Sequence, residues 1–516
     1  MFRHSALVTY FLVIFATLIP RLLLVGAPPA TDEGIYAFNA FMTHAYVSGN
    51  SLLPDVGSLS FYSTLLSWVF SFESNPFLSL RLLDAMFAAC TGLLLFLLIE
   101  QESQDKKFAL TLTIIAIITC NDPVFVQYGF KNSIHAALLP LLSAIFIARK
   151  EISSSFKWQY VGALTALAVL LREPFIIFAV LGAVIVRLHS GRRAFIAYIL
   201  GGLIFSSIIL SVIFLLRGGY STLLGSYIEL GKMYEAIAYQ KQHLVHTSAI
   251  LFFSNSVVII FLAFISAITV IITAFRQPKL LRVAVFWGLI TMAPLLEPIL
   301  KNGYPYHFAV SLIGLTGFIA CGYRIHKNSL KTCIWIWPFA IAISVFLLVP
   351  KFIKLGHIAK QYPPAELLTQ KHFSWPDSTI ASSNYLLIAE KIKQLSDHGM
   401  PTMAISGSML GLMPLANALP SHYSLSHFSY ALLADKHNGG DLRSKIYQCP
   451  PEYVVITTSS PFKDSFKLKF LISNIPEYSQ VAYLPRSERR HYGTFDGFIY
   501  RWQGPLRPCL LKGNHE

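Results

Sequence analysis

Apolar runs recur through this sequence at about 5–26, 82–99, 108–121, 134–148, 159–172, 174–188, 194–216, 249–275, 283–300, 306–323 and 332–350. A run of roughly 20 apolar residues crosses the hydrocarbon core of a bilayer as a helix, because a helix satisfies its own backbone where no water can. Eleven such runs predict a polytopic α-helical membrane protein. The composition agrees: 13% of residues are charged and the mean hydropathy is +0.56, whereas a soluble domain is about a quarter charged.

The loops set an orientation. With the N-terminus in the cytoplasm, the inner loops collect Arg3, Lys106, Lys107, Arg149, Lys150, Lys157, Arg187, Arg192, Arg193, Arg276, Lys279, Arg282, Arg324, Lys327 and Lys331. The outer side has Arg21, Arg81, Lys131, Arg172, Arg217, Lys232, Lys241 and Lys301, spread thinly. The positive-inside rule therefore places the outer loops and everything after residue 350 outside the cytoplasm. Run 5–26 reads as an uncleaved first span, since Arg21 interrupts its end and GAPPA is a poor cleavage site. The net charge of +15 comes from the inner clusters and a basic tail, so it does not point to nucleic acid.

Residues 1–350 thus form a transmembrane domain and residues 351–516 an outer one. The tail is richer in Ser, Pro, His and charge. SSNYLLIAEKIKQLSDHG predicts a helix that stops at His398-Gly399. PTMAIS, EYVVITTS, SQVAYLPR and GTFDGFIYRW predict strands, which suggests a small α/β domain. Cys90, Cys120, Cys321 and Cys333 lie in or near spans, while Cys449 and Cys509 fall in the tail. An oxidising compartment permits a disulfide between the last two; two free thiols fit the spacing equally well.

The chemistry concentrates in PPATDEGIYAFNAFMTHAY (28–46). Pro28 and Pro29 end the first span, and Thr31 can cap a new helix. Ile35, Phe38, Phe41, Met42 and Ala45 then share one helical face, the pattern of an amphipathic helix lying along the membrane surface. Asp32 and Glu33 suit a helix first turn through the macrodipole. They also sit at the depth of lipid phosphates, where an acid is repelled unless it has a task.

The same stretch, continued to VSGNSLLPDV, resembles the first outer loop of GT-C glycosyltransferases, closest to the protein-mannosyltransferase and aminoarabinose-transferase branch. SLRLLDAMFAACTGLLLFLL, NDPVFVQYGFKNSIHAALLPLLSAIFIA and GALTALAVLLREPFIIFAVLGAV are similar to later segments of that family, in order. Two departures stand out. GSLSFYSTLL occupies the place of the family's Glu-Lys-Pro-Pro, and the second outer loop has Lys131-Asn132-Ser133 where many members carry an acid, with Asp122 displaced upstream.

The resemblance implies transfer of a sugar from a polyprenyl-phosphate carrier to an acceptor hydroxyl: a glycan, lipid A or a protein. A hydroxyl needs a positioned carboxylate to take its proton as it attacks. Asp32 is the candidate base, with Glu33 as substitute or helper, and a single in-line displacement inverts the anomeric centre. Cations stabilise the departing phosphate. Arg172, Lys241, His243, His246 and Lys301 are the candidates, with Asp122 as a further substrate-site residue. Arg172-Glu173-Pro174 also fits a local ion pair at a helix turn. His243 and His246, with Glu235 upstream, admit a divalent metal ion but form an incomplete ligand set; no other cofactor is expected.

The expectation is a glycosyltransferase of a bacterial inner membrane that decorates a cell-surface glycan or lipopolysaccharide. A protein O-glycosyltransferase of the same class is the nearest alternative. A lipid or polysaccharide transporter predicts related halves and broken, charged spans, and a polymerase or ligase predicts a large late loop without the acid pair.

Overall fold

The computed structural model describes residues 2–23, 31–48, 61–71, 76–122, 125, 134–150, 156–217, 241–273, 278–297, 305–329, 335–361, 384–396, 399–405, 411–420, 442–457, 464–485 and 496–505. Among the described residues, every apolar run read from the sequence falls almost wholly on helix. In chain order the helices are α1 (Phe2–Leu23), α2 (Thr31–Val47), α3 (Phe61–Ser67), α4 (Pro76–Ser103), α5 (Lys106–Cys120), α6 (Ile134–Arg149) and α7 (Lys157–Leu171). Then follow α8 (Ile176–Arg217), α9 (Lys241–Asn255), α10 (Val257–Thr273), α11 (Pro278–Met292), α12 (Pro305–Ala309), α13 (Ser311–Ser329) and α14 (Ile336–Gln361). The protein is a polytopic helical membrane protein.

Among the described residues, four helices are long and apolar enough to cross a membrane, and the pair Ser248–Asn255 and Val257–Thr273, bent by 75°, makes a fifth. One of the four, Glu173–Ile213, has 41 residues and would measure about 60 Å if straight, twice a bilayer core. It folds back at Gly191, whose φ of +83° lies in the left-handed region. The Tyr198 hydroxyl donates to the carbonyl of Ala179, 19 residues earlier, at 3.1 Å. The runs 174–188 and 194–216 are therefore the two limbs of one hairpin. Its second limb packs on α7 at glycines: a Cβ on Gly162 would lie 2.0 Å from the Tyr198 carbonyl oxygen.

The tail forms a mixed sheet of β1 (Thr402–Ile405), β2 (Leu419–Pro420), β3 (Tyr453–Thr457), β4 (Tyr478–Leu484) and β5 (Gly497–Trp502), in the order β2-β1-β3-β5-β4. Pairing is parallel from β2 through β1 to β3 and antiparallel from β3 through β5 to β4. Four of these strands match the sequence expectation; β2, two residues long, carries no alternation to read. Helices α15 (Asn384–Leu395), α16 (Leu412–Ala416), α17 (Leu442–Gln448) and α18 (Asp464–Ser473) complete the fold. Gly399, with φ +72°, follows α15 where a stop was expected. Cys449 is disulfide-bonded; Cys509 and Cys333 lie outside the described residues. Cys90, Cys120 and Cys321 are free.

One expectation needs correction. The apolar face of helix α2 is turned to protein, not to lipid. Phe38, Phe41, Met42 and Ala45 are at most 4% exposed and share a core with Ile388, Met403, Ile405, Met413, Tyr453, Val455 and Ile499 of the sheet domain. Its Ala37 and Ala40 face the core of the helical bundle. An apolar helical face is satisfied by lipid or by protein, and here a second domain supplies the protein.

Candidate active site

Four ion pairs lie near the end of the bundle that carries the sheet domain. The first joins the acid pair to α4. Glu33 is fully buried, and its Oε1 and Oε2 accept from Arg81 Nε and Nη2 at 2.6 and 2.7 Å. This fork-on-fork geometry is the strongest form of the pair. Tyr36, one turn on, meets Tyr62 of α3 edge to face at 5.4 Å between ring centres.

The second lies a turn along α4, because Arg81 and Asp84 are three residues apart and share a helical face. Arg21 of α1 contacts Asp84 at 3.0 Å, and His135 of α6 reaches the same carboxylate at 3.1 Å. A cavity of about 60 Å³ adjoins His135, with Thr17, Thr91 and Asn121 as polar lining and Leu95, Ile117, Leu138 and Ile313 among its apolar walls.

The third pairs Arg172, at the end of α7, with Glu297, 125 residues on. His307 approaches the same carboxylate at 3.5 Å. All three are at least nine-tenths buried. The fourth ties Asp122, just past α5, to Lys351 of α14 at 2.7 Å; the same ammonium donates to the carbonyl of Asn255 at 2.6 Å. That carbonyl lies at the break between α9 and α10, where helix bonding is interrupted.

The opposite end of the bundle has its own pairs. Glu102 binds Arg149 at 2.7 Å, and Asp105 binds Lys327 at 3.0 Å. Arg81 and Glu102 of α4 are separated by about 30 Å of helix, so the two polar ends stand a bilayer core apart.

The candidates from sequence fall into three groups. Glu33, Arg172 and Asp122 are buried in ion pairs. Asp32 lies in the first turn of α2 and Lys241 and His243 in the first turn of α9, but their side chains fall outside the description; His246 is exposed. Lys301 and Glu235 lie outside the described residues altogether. Among the described residues, no group of three His, Cys, Asp or Glu side chains is placed to hold a metal ion. The partners Arg81, Asp84, Arg21, His135, Glu297 and Lys351 were not foreseen. The signal existed: each is a charged or titratable group within or at the edge of an apolar run.

The sequence matches no protein-family profile and no curated protein. The structure is similar to a solved one, the crystal structure of ArnT from Cupriavidus metallidurans bound to undecaprenyl phosphate, with a TM-score of 0.53 and 11% identity over 95% of this chain and 97% of that one. The chain has the ArnT fold. This is the GT-C architecture anticipated from the first outer loop, and at 11% identity the likeness speaks for the fold alone. The ArnT-like match runs over helical bundle and sheet domain together, since so little of either chain is left out.

Proposed function

We propose that this protein is an inverting glycosyltransferase that moves a sugar from a polyprenyl-phosphate carrier to a hydroxyl on the outer face of the bacterial inner membrane. A cell-surface glycan or lipopolysaccharide is the acceptor. The ArnT-like fold supports the class, because the ArnT structure holds undecaprenyl phosphate. Residues 1–350 form the catalytic domain, and the tail is periplasmic.

The observation that carries the reading is the Glu33–Arg81 pair. Both Glu33 oxygens already accept from Arg81 and the residue has no exposed surface, so an acceptor hydroxyl has no approach to it. Glu33 anchors the first turn of α2, and the free role of base falls to its neighbour. Asp32 takes the proton from the acceptor oxygen as that oxygen attacks the anomeric carbon. The bond from that carbon to the carrier phosphate breaks, and the lipid phosphate leaves with the electron pair. Attack opposite the leaving group inverts the centre.

The leaving phosphate gains negative charge where buried cations are most effective. Arg172 is held by Glu297, and its fixed positive charge acts on the leaving phosphate through the low-dielectric interior. Lys241, His243, His246 and Lys301 lie on segments that follow it in the chain and supply further cationic groups; Asp122 fixes Lys351 nearby in the fold.

The test is Asp32→Asn in the full-length protein. Mass spectrometry of surface glycan should show the modification lost, while native mass spectrometry shows undecaprenyl phosphate still bound. An active Asp32→Asn protein sinks the proposal.

A further inference from the structure

We propose that the C-terminal α/β domain is the positioning element for the acid-bearing turn of α2, acting through Phe38, Phe41 and Met42. The inference rests on the reading of Asp32 as the base.

Helix α2 is held from two sides by unlike means. Towards the bundle it offers Ala37, Ala40, the partly buried Tyr36 and the Glu33 carboxylate. The Glu33–Arg81 pair holds the first turn there, while the small Ala37 and Ala40 beyond it allow close approach but grip weakly. The large side chains go mostly the other way, and Phe41 also meets Phe70 of the 68–71 turn at 5.6 Å between ring centres. Phe38 and Met42 are fully buried and Phe41 is 4% exposed, all in the core of the sheet domain. They share that core with Ile388 and Ile392 of α15, Leu412 and Met413 of α16, and the inward-facing Met403, Ile405, Tyr453 and Val455 of the central strands.

The sheet shows why this arrangement is obligatory. Side chains alternate along a strand. Ala404, Val454, Ile456, Tyr500 and Trp502 face a separate core with Ile446, Leu468 and Ile472, which α17 and α18 close. The other face is closed by α15, by the short α16 and by α2. A helix nearly four hundred residues upstream is thus a structural member of the tail, and the tail fixes its rotation and register. Asp32 lies nine residues before Phe41, about 13 Å along the axis, so a small turn of the helix displaces the acid relative to the bundle. Catalysis by a positioned base is sensitive to such displacement.

The test uses full-length protein at matched membrane levels, with Phe41→Ala, Met413→Ala, the double variant and the conservative Phe41→Leu. Surface-glycan modification reads transfer, native mass spectrometry with undecaprenyl phosphate reads binding, and hydrogen–deuterium exchange reads α2. Each alanine variant should speed exchange in α2 and cut transfer about tenfold or more while binding stays within about threefold. The double variant should fall no further than the worse single one, since both loosen one contact, and Phe41→Leu should restore most of the transfer. Full transfer in both alanine variants, with Asp32→Asn inactive, overturns the positioning role, and so does loss of binding in step with transfer. An active Asp32→Asn protein instead overturns the reading of function, a distinct failure.

Discussion

Glu33 and Arg81 hold each other through two hydrogen bonds of 2.6 and 2.7 Å, and neither is more than 5% exposed. The pair fastens the first turn of α2 to the start of α4, at the end of the bundle that carries the sheet domain. Two charges out of water tolerate each other only as a pair. Arg81→Met should therefore destabilise the protein by about 3–5 kcal/mol, because it takes the guanidinium from the buried carboxylate of Glu33. The double variant Glu33→Leu/Arg81→Met should recover much of that loss in detergent thermal unfolding. Its transfer activity should stay low, since the apolar pair cannot specify the orientation of the turn.

Arg172 and Glu297 allow stability to be separated from function. Arg172→Gln takes the guanidinium from the Glu297 carboxylate, leaving it His307 at 3.5 Å, and should lower the unfolding temperature. Adding Glu297→Gln removes the undercompensated charge and should restore that temperature. If the guanidinium stabilises the leaving phosphate, the double variant stays deficient in glycan modification. Recovery of both properties together would assign Arg172 a structural role alone.

The hairpin contact between α7 and α8 depends on absent side chains. A Cβ on Gly162 or Gly201 would come within 2.0 or 2.2 Å of the backbone oxygens of Tyr198 and Gln159. Backbone cannot rotate away, so Gly162→Ala and Gly201→Ala should each cost about 1–3 kcal/mol or more. A Cβ on Gly288 of α11 would meet no heavy atom within 4 Å, and Gly288→Ala should leave the unfolding temperature unchanged or slightly raised.

Asp105 gives a pH dependence at the other end of the bundle. Burial pushes its carboxyl up, but the Lys327 ammonium, the Phe108 N–H and the Tyr323 hydroxyl outweigh that and hold it below the ordinary value. A carboxyl lowered in the folded state stabilises the protein above its unfolded value of about 3.9, and that contribution disappears as pH falls through the folded value. The unfolding temperature should drop below about pH 4, and Asp105→Asn should flatten that part of the profile.

What the sequence alone determined is what short-range physics controls. Apolar runs fix the helices because the cost of burying backbone in lipid depends only on the local stretch. Four strands and the stop near Gly399 were legible from alternation and from glycine. The acid pair was located because its loop has a recognisable order of residues. The tertiary structure decided the partners. Glu33 finds Arg81 at a separation of 48 residues, Arg172 finds Glu297 at 125, and Asp122 finds Lys351 at 229. No periodicity links such positions, because each pairing depends on how several helices pack at once. The same limit explains α2. Its apolar face was plain in Phe38, Phe41 and Met42, but a hydrophobic stripe gains as much from protein as from lipid, and only the folded chain reveals that a domain at its far end fills that place.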